Sequence, residues 1–113
     1  MFVLPHKIKI WWRDYFIYPG EEFLNSGDEL YGQIDYQKDR ILLRANNTQD
    51  QSECTLIHEV LHGISDMYGI EMSEETVTRL ANALYTALCD NYCVIQRCFG
   101  VPIPDNLACA KEA

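Results

Sequence analysis

The chain has 113 residues, a length that suits one domain. Its 48% apolar and 23% charged residues are those of a globular chain and argue against extended disorder. The net charge of −8 argues against nucleic-acid phosphates and anionic lipid as partners, and it suits the binding of a cation.

No run of about 18 apolar residues occurs, so no membrane span is expected. Residues 1–5 are too short for a signal-peptide core, and His6, Lys7 and Lys9 follow them. The chain therefore reads as unexported and cytoplasmic. Its five cysteines, Cys54, Cys89, Cys93, Cys98 and Cys109, are an odd number without an export signal, which predicts reduced thiols.

The first third reads as strands. Lys7-Ile8-Lys9-Ile10-Trp11 alternates polar with apolar, and Tyr15-Phe16-Ile17-Tyr18 continues in β-prone residues up to the breaker Pro19-Gly20. The polar stretch 21–29 reads as a loop. A second strand over 30–36, a turn at Gln37-Lys38-Asp39 and a third strand over 40–45 predict an antiparallel hairpin.

Two helices follow. Thr48 and Gln51 fit a capping box, Asp50 suits the positive end of the helix dipole, and Gly69 suits the C-terminal stop. Between them Cys54, Ile57, Leu61, Ile64 and Tyr68 recur at helical spacing as a buried stripe. Ser73 caps a second helix whose apolar face is Val77, Leu80, Ala81, Leu84 and Leu88. The short link predicts an antiparallel helix pair. From Tyr92 onward the pattern is irregular, and Gly100, Pro102 and Pro104 break any helix. The expected fold is α+β: an antiparallel sheet of about three strands on an antiparallel helix pair within residues 1–92, then an irregular tail over 93–113.

The chemistry lies in His58-Glu59-Val60-Leu61-His62. Histidines at i and i+4 stand one above the other on a helix, about 6 Å apart, so both rings reach one metal ion. Glu59 cannot easily share that ion, but its carboxylate can take a proton from a metal-bound water and pass it to a leaving amine. A catalytic zinc takes three protein ligands and keeps one position open. Candidates for the third are Asp66, Glu71, Glu74 and Glu75. Asp66 has too short a reach and reads instead as a hydrogen-bond partner of His62.

The motif His58-Glu59-Val60-Leu61-His62-Gly63, preceded by Leu30-Tyr31-Gly32-Gln33-Ile34-Asp35-Tyr36 and followed by Arg79-Leu80-Ala81-Asn82-Ala83-Leu84-Tyr85, resembles the small zincin-type proteins of bacteriophages and prophages. These are minimal relatives of the ImmA/IrrE-type and SprT-like metallopeptidases. The resemblance covers roughly residues 7–91. It implies a zinc-dependent peptidase fold with a sheet, an active-site helix and a second helix giving an acidic third ligand. The ImmA/IrrE-type pattern has a Glu three residues before an Ala-Asn pair. Here the pair is Ala81-Asn82 and that position is Thr78, a poor zinc ligand. Glu75, one turn earlier on the same side, is the expected ligand, with Glu74 second and His6 a remote alternative. Both glutamates also suit the helix N-terminus. The resemblance further implies that the sheet edge nearest the metal, read as 40–45, binds peptide as an added strand.

Tyr31 and Tyr36 can stabilise an oxyanion, though packing suits them better. Cys89, Cys93, Cys98 and Cys109 can supply four thiolates to a structural zinc, but no C-x-x-C pair is present and Cys89 beside Leu88 reads as core. Trp11, Trp12 and Arg13 are suited to a partner surface, with at least one tryptophan expected between sheet and helices. The leading expectation is a zinc metallopeptidase cleaving a peptide or protein substrate. The alternatives are a non-catalytic zinc-binding regulatory or interaction module of phage origin, and a metal-free α+β protein.

Overall fold

A computed structural model of the chain describes residues 4–20 and 31–100. The expected loop over 21–29 and the tail from 101 onward, with Cys109, lie outside the described residues. Four strands, β1 (Lys7–Ile10), β2 (Arg13–Gly20), β3 (Gly32–Asp35) and β4 (Arg40–Arg44), precede three helices, α1 (Gln49–Tyr68), α2 (Glu74–Asp90) and α3 (Tyr92–Phe99). The α+β class is as expected.

The sheet differs from the expectation in two ways. The chain reverses at Trp11 and Trp12, so that Ile10 faces Arg13 and the first segment makes two strands. Trp11 takes the left-handed φ of 61° without a glycine or asparagine to advertise the turn. The sheet order is β1-β2-β4-β3, with β2 and β4 parallel and the outer pairs antiparallel. Strand β4, expected at the edge nearest the metal, is therefore interior, and β3 holds the edge.

The β3–β4 turn is held by the buried Asp35 carboxylate. It accepts from the Gln37 and Lys38 main-chain N–H groups at 3.0 and 3.2 Å and from Arg40 Nε at 3.0 Å. Burial alone raises the Asp35 pKa, but these donors outweigh it and hold the carboxyl below its ordinary value.

Both predicted caps form. The Gln51 N–H donates to Thr48 Oγ1 at 3.2 Å, and the Thr48 N–H donates to Gln51 Oε1 at 2.9 Å. Gly69 ends α1 with a φ of 68°, and Ser73 Oγ accepts from the Thr76 N–H at 3.1 Å. Helix α1 is packed on two sides. Leu56, Val60, Ile64 and Met67 meet Ile10, Tyr15, Ile41 and Leu43 of the sheet, while Leu61 and Ile57 meet Val77 and Ala81 of α2. The fully buried aliphatic side chains among them, such as Ile41 and Val77, contribute about 1.5–3 kcal/mol each. A single apolar stripe therefore understates the buried face: Leu56 and Gly63 are inside, and Tyr68, placed in the stripe by spacing, is 53% exposed. On α2, Leu80 and Leu84 are likewise exposed beside the buried Val77 and Ala81.

Two glycines let α1 approach the sheet. A Cβ on Gly63 would come within 2.8 Å of Ile10 Cδ1, and one on Gly32 within 2.5 Å of Thr55 Cγ2 and 2.9 Å of the Leu42 carbonyl oxygen.

The start of the expected irregular tail is helical. Residues Tyr92–Phe99 form α3, which Gly100 stops at a φ of 68°. Tyr92 and Gln96, one turn apart, share a 3.0 Å hydrogen bond there, a local support that reading the tail by its prolines overlooks. Among the described residues no helix is long and apolar enough to cross a membrane.

Candidate metal centre

Helix α2 returns antiparallel along α1, so its first turn meets the middle of α1. There His58 Nε2 and His62 Nε2 lie 3.1 Å apart. Glu74 places Oε2 3.0 Å from His58 and Oε1 2.8 Å from His62. Among the described residues, this is the group of three side chains able to hold a metal ion. Burial, opposed by the Glu74 carboxylate, lowers the His58 pKa below its ordinary value. The neutral ring is the form that offers a lone pair to a metal.

The donor set fits zinc. Zinc–nitrogen and zinc–oxygen bonds of about 2.1 Å in a tetrahedron put ligand atoms about 3.4 Å apart. Taken with one oxygen of Glu74, the three ligand atoms lie within 4.8 Å of one another, so small side-chain adjustments bring them to that spacing. Two imidazoles and one carboxylate also match the ligand chemistry of catalytic zinc sites, which leave a fourth position open.

Of the two candidate glutamates, the structure brings Glu74 and not Glu75 to the histidines. Glu75, the expected ligand, points away and pairs with Arg79 Nη2 at 2.8 Å. Glu74 stands on the same side of α2 as Val77 and Ala81, the residues buried against α1, so the packing face carries it to the histidines. Thr78, at the position where the resembled pattern has its Glu, donates its hydroxyl to Glu74 Oε2 at 3.4 Å. His6 is exposed at the start of the sheet and is not in the group. Asp66 does not serve His62. It accepts a short hydrogen bond from the Tyr36 hydroxyl.

Glu59, the residue after His58 on α1, is 7% exposed. Burial, reinforced by the Glu74 carboxylate, pushes its pKa up to about 7, and a hydrogen bond from the Ile34 main-chain N–H pulls the other way. That N–H belongs to the free edge of β3. The Arg44 N–H bonds the Tyr31 carbonyl, so in the alternating antiparallel ladder the odd residues of β3 face β4 and Gly32 and Ile34 face outward.

A cleft of about 450 Å³ opens beside His58, Glu59 and Glu74, walled by Tyr31 and Gly32 on one side and Thr78 and Asn82 on the other. Of the two candidate oxyanion phenols, Tyr31 lines the cleft, with the Arg44 guanidinium 5.8 Å above its ring. Tyr36 donates its hydroxyl to Asp66 instead. Burial and that bond raise its pKa well above the ordinary phenol value.

Spacing did not reveal the buried Glu53. It accepts from Tyr85 Oη at 2.6 Å and from Gln49 Nε2 at 2.8 Å. The Cys54 thiol donates to Asn82 Oδ1 at 3.1 Å. Both links tie α2 to α1. The signal for the first was a Glu lying within an apolar helix face.

The thiol expectation holds for Cys54, Cys89 and Cys98, which are free, but Cys93 is disulfide-bonded and is not available as a thiolate. The tryptophans are not between sheet and helices. Trp11 and Trp12 are 54% and 64% exposed at the hairpin tip, where Trp11 sits 6.4 Å from the Tyr68 ring. Comparison with protein-family models, with curated proteins and with solved structures gives no match for this chain.

Proposed function

We propose that the chain is a zinc-dependent peptidase of the small zincin type, hydrolysing a peptide bond of a peptide or protein substrate. The observation that supports this best is the convergence of His58, His62 and Glu74, with the buried Glu59 lining the same cleft as His58 and Glu74. His58 and His62 would hold the ion through Nε2, and Glu74 through a carboxylate oxygen. Zinc there supplies a Lewis acid, which polarises a carbonyl and lowers the pKa of water from about 15.7 towards about 7.

The chain's own residues do the rest. Glu59 takes the proton from the attacking water as the new C–O bond forms. It then returns that proton to the amine nitrogen as the C–N bond breaks. Burial keeps bulk water from competing for the carboxylate, and the Ile34 N–H fixes its direction. The outward-facing groups of Gly32 offer main-chain hydrogen bonds to an extended peptide beside β3. Tyr31, which lines the cleft, would donate to the oxygen of the reacting carbonyl.

The exposed Trp11–Trp12 pair favours a second reading, a zinc-stabilised interaction module. Purified without a histidine tag, loaded with zinc and incubated with a peptide library, the protein should cleave, and chelation should stop cleavage reversibly. One zinc per chain with no cleavage of any peptide supports the module instead. Less than about 0.1 zinc per chain removes both readings.

The cytoplasm is the proposed compartment, supported by the three free thiols. The Cys93 disulfide is the observation against it, and thiol counting on protein from a reducing cytoplasm decides.

A further inference from the structure

The half of the cleft beyond the histidines has a chemistry of its own. Cys54, one turn before His58 on α1, donates its thiol to Asn82 Oδ1 at 3.1 Å. That contact occupies the acceptor end of the amide and orients it. Its donor end, Nδ2, has no acceptor among the described residues. Asn82 lines the cleft with Tyr31, Thr55 and Thr78, and no Lys or Arg does. Arg44 stacks on Tyr31 but is not part of the lining. The ionisable groups facing this space, apart from His58, the Cys54 thiol and the Tyr31 phenol, are the carboxyls of Glu59 and Glu74.

We propose that Asn82, oriented by Cys54, is a specificity-determining residue whose subsite takes the carboxamide side chain of a substrate Asn or Gln next to the scissile bond. This rests on the peptidase reading above. A carboxamide oxygen accepts from Asn82 Nδ2, and its NH₂ group can donate to the Thr and Glu oxygens around it. A carboxylate side chain has no N–H to give to those oxygens and no Lys or Arg of the lining to pair with, the proposed cation being held at the histidines. Asn82 is exposed in the free chain, and an aliphatic side chain seated over it would cover its donor without pairing it. A lysine leaves it facing a second donor. An amide donor shut away from water without a partner lowers binding by about ten- to hundredfold.

The test uses the zinc-loaded full chain and peptides identical except for Gln, Leu, Glu or Lys on either side of the cleaved bond. Gln is expected to exceed Leu by about tenfold or more in kcat/KM, with Glu lowest. Asn82→Leu should remove or invert the Gln-over-Leu preference, and Asn82→Asp should shift preference to Lys. Both substitutions lie on an exposed face of α2 and leave the core untouched. In parallel, the Gln peptide is titrated into zinc-loaded Glu59→Gln protein while the Asn82 side-chain amide resonances are followed. They should shift. Cleavage with the same side-chain preference in parent and Asn82→Leu overturns the subsite alone. A shift without cleavage keeps the subsite and overturns the peptidase. Neither cleavage nor a shift overturns both.

Discussion

The Glu59 carboxylate accepts a hydrogen bond from the main-chain N–H of Ile34 on the open edge of β3. Helix and strand thus meet at one carboxyl group, which Gly32 and Gly63 permit by letting α1 lie close against the sheet. If Glu59 is the base, Glu59→Gln keeps the shape and the Ile34 contact but cannot carry a proton. We expect kcat/KM to fall by about 10²–10⁴-fold while zinc stays at one per chain, measured by peptide cleavage alongside elemental analysis. A variant that cuts as fast as the parent removes Glu59 from the mechanism.

The same carboxyl predicts a pH dependence in metal-free protein. Its pKa is raised from 4.5 to about 7, chiefly by burial. The folded chain therefore holds this proton more tightly than the unfolded chain does. The stability it contributes is complete below about 4.5 and is lost as pH rises through about 7, a change of up to about 3 kcal/mol. Urea unfolding with a chelator at pH 5 and pH 8 should show this loss in the parent and much less of it in Glu59→Gln.

Glu74 and Glu75 are neighbours in sequence with opposite fates. Glu74→Ala should weaken zinc binding by more than about 100-fold, since even outer-shell partners of a metal site are worth 10–100-fold. Glu75→Ala breaks only its exposed pair with Arg79 and should change stability by no more than about 0.5 kcal/mol, with zinc affinity unchanged. Competition with a chromogenic chelator measures both. Equal losses in the two variants would contradict the ligand assignment.

These two residues also show where sequence reading stops. The caps at Thr48, Gly69 and Ser73 are local hydrogen-bond chemistry, and so is the i, i+4 pairing of His58 with His62, so all were legible. The choice between Glu74 and Glu75 depends on how α2 is rotated against α1. That rotation is set by Val77 and Ala81 packing on Leu61, a contact between distant segments. The parallel pairing of β2 with β4 is non-local in the same way: it joins segments separated by β3. The turn at Trp11 was hidden for a different reason. A tryptophan in left-handed backbone carries no turn signature, and only the pairing of Ile10 with Arg13 requires it.

The link between Glu53 and Tyr85 tests whether helix register matters for the site. Glu53 is wholly buried and accepts the Tyr85 hydroxyl at 2.6 Å. Burial, together with the hydrogen bond to Glu53, raises the Tyr85 pKa far above the ordinary phenol value, so the phenol remains a donor at all working pH values. Tyr85→Phe removes the donor and keeps the ring. We expect a loss of about 1–3 kcal/mol, the cost of leaving a buried acceptor short of a partner. Thermal and urea unfolding measure that loss. If Tyr85 also holds α2 in the register that delivers Glu74, zinc affinity should fall in the same variant, although Tyr85 lies three turns along α2 from Glu74. A Tyr85→Phe protein that loses stability and binds zinc as tightly as the parent would show that the first turn of α2 is placed by Val77 and Ala81 alone.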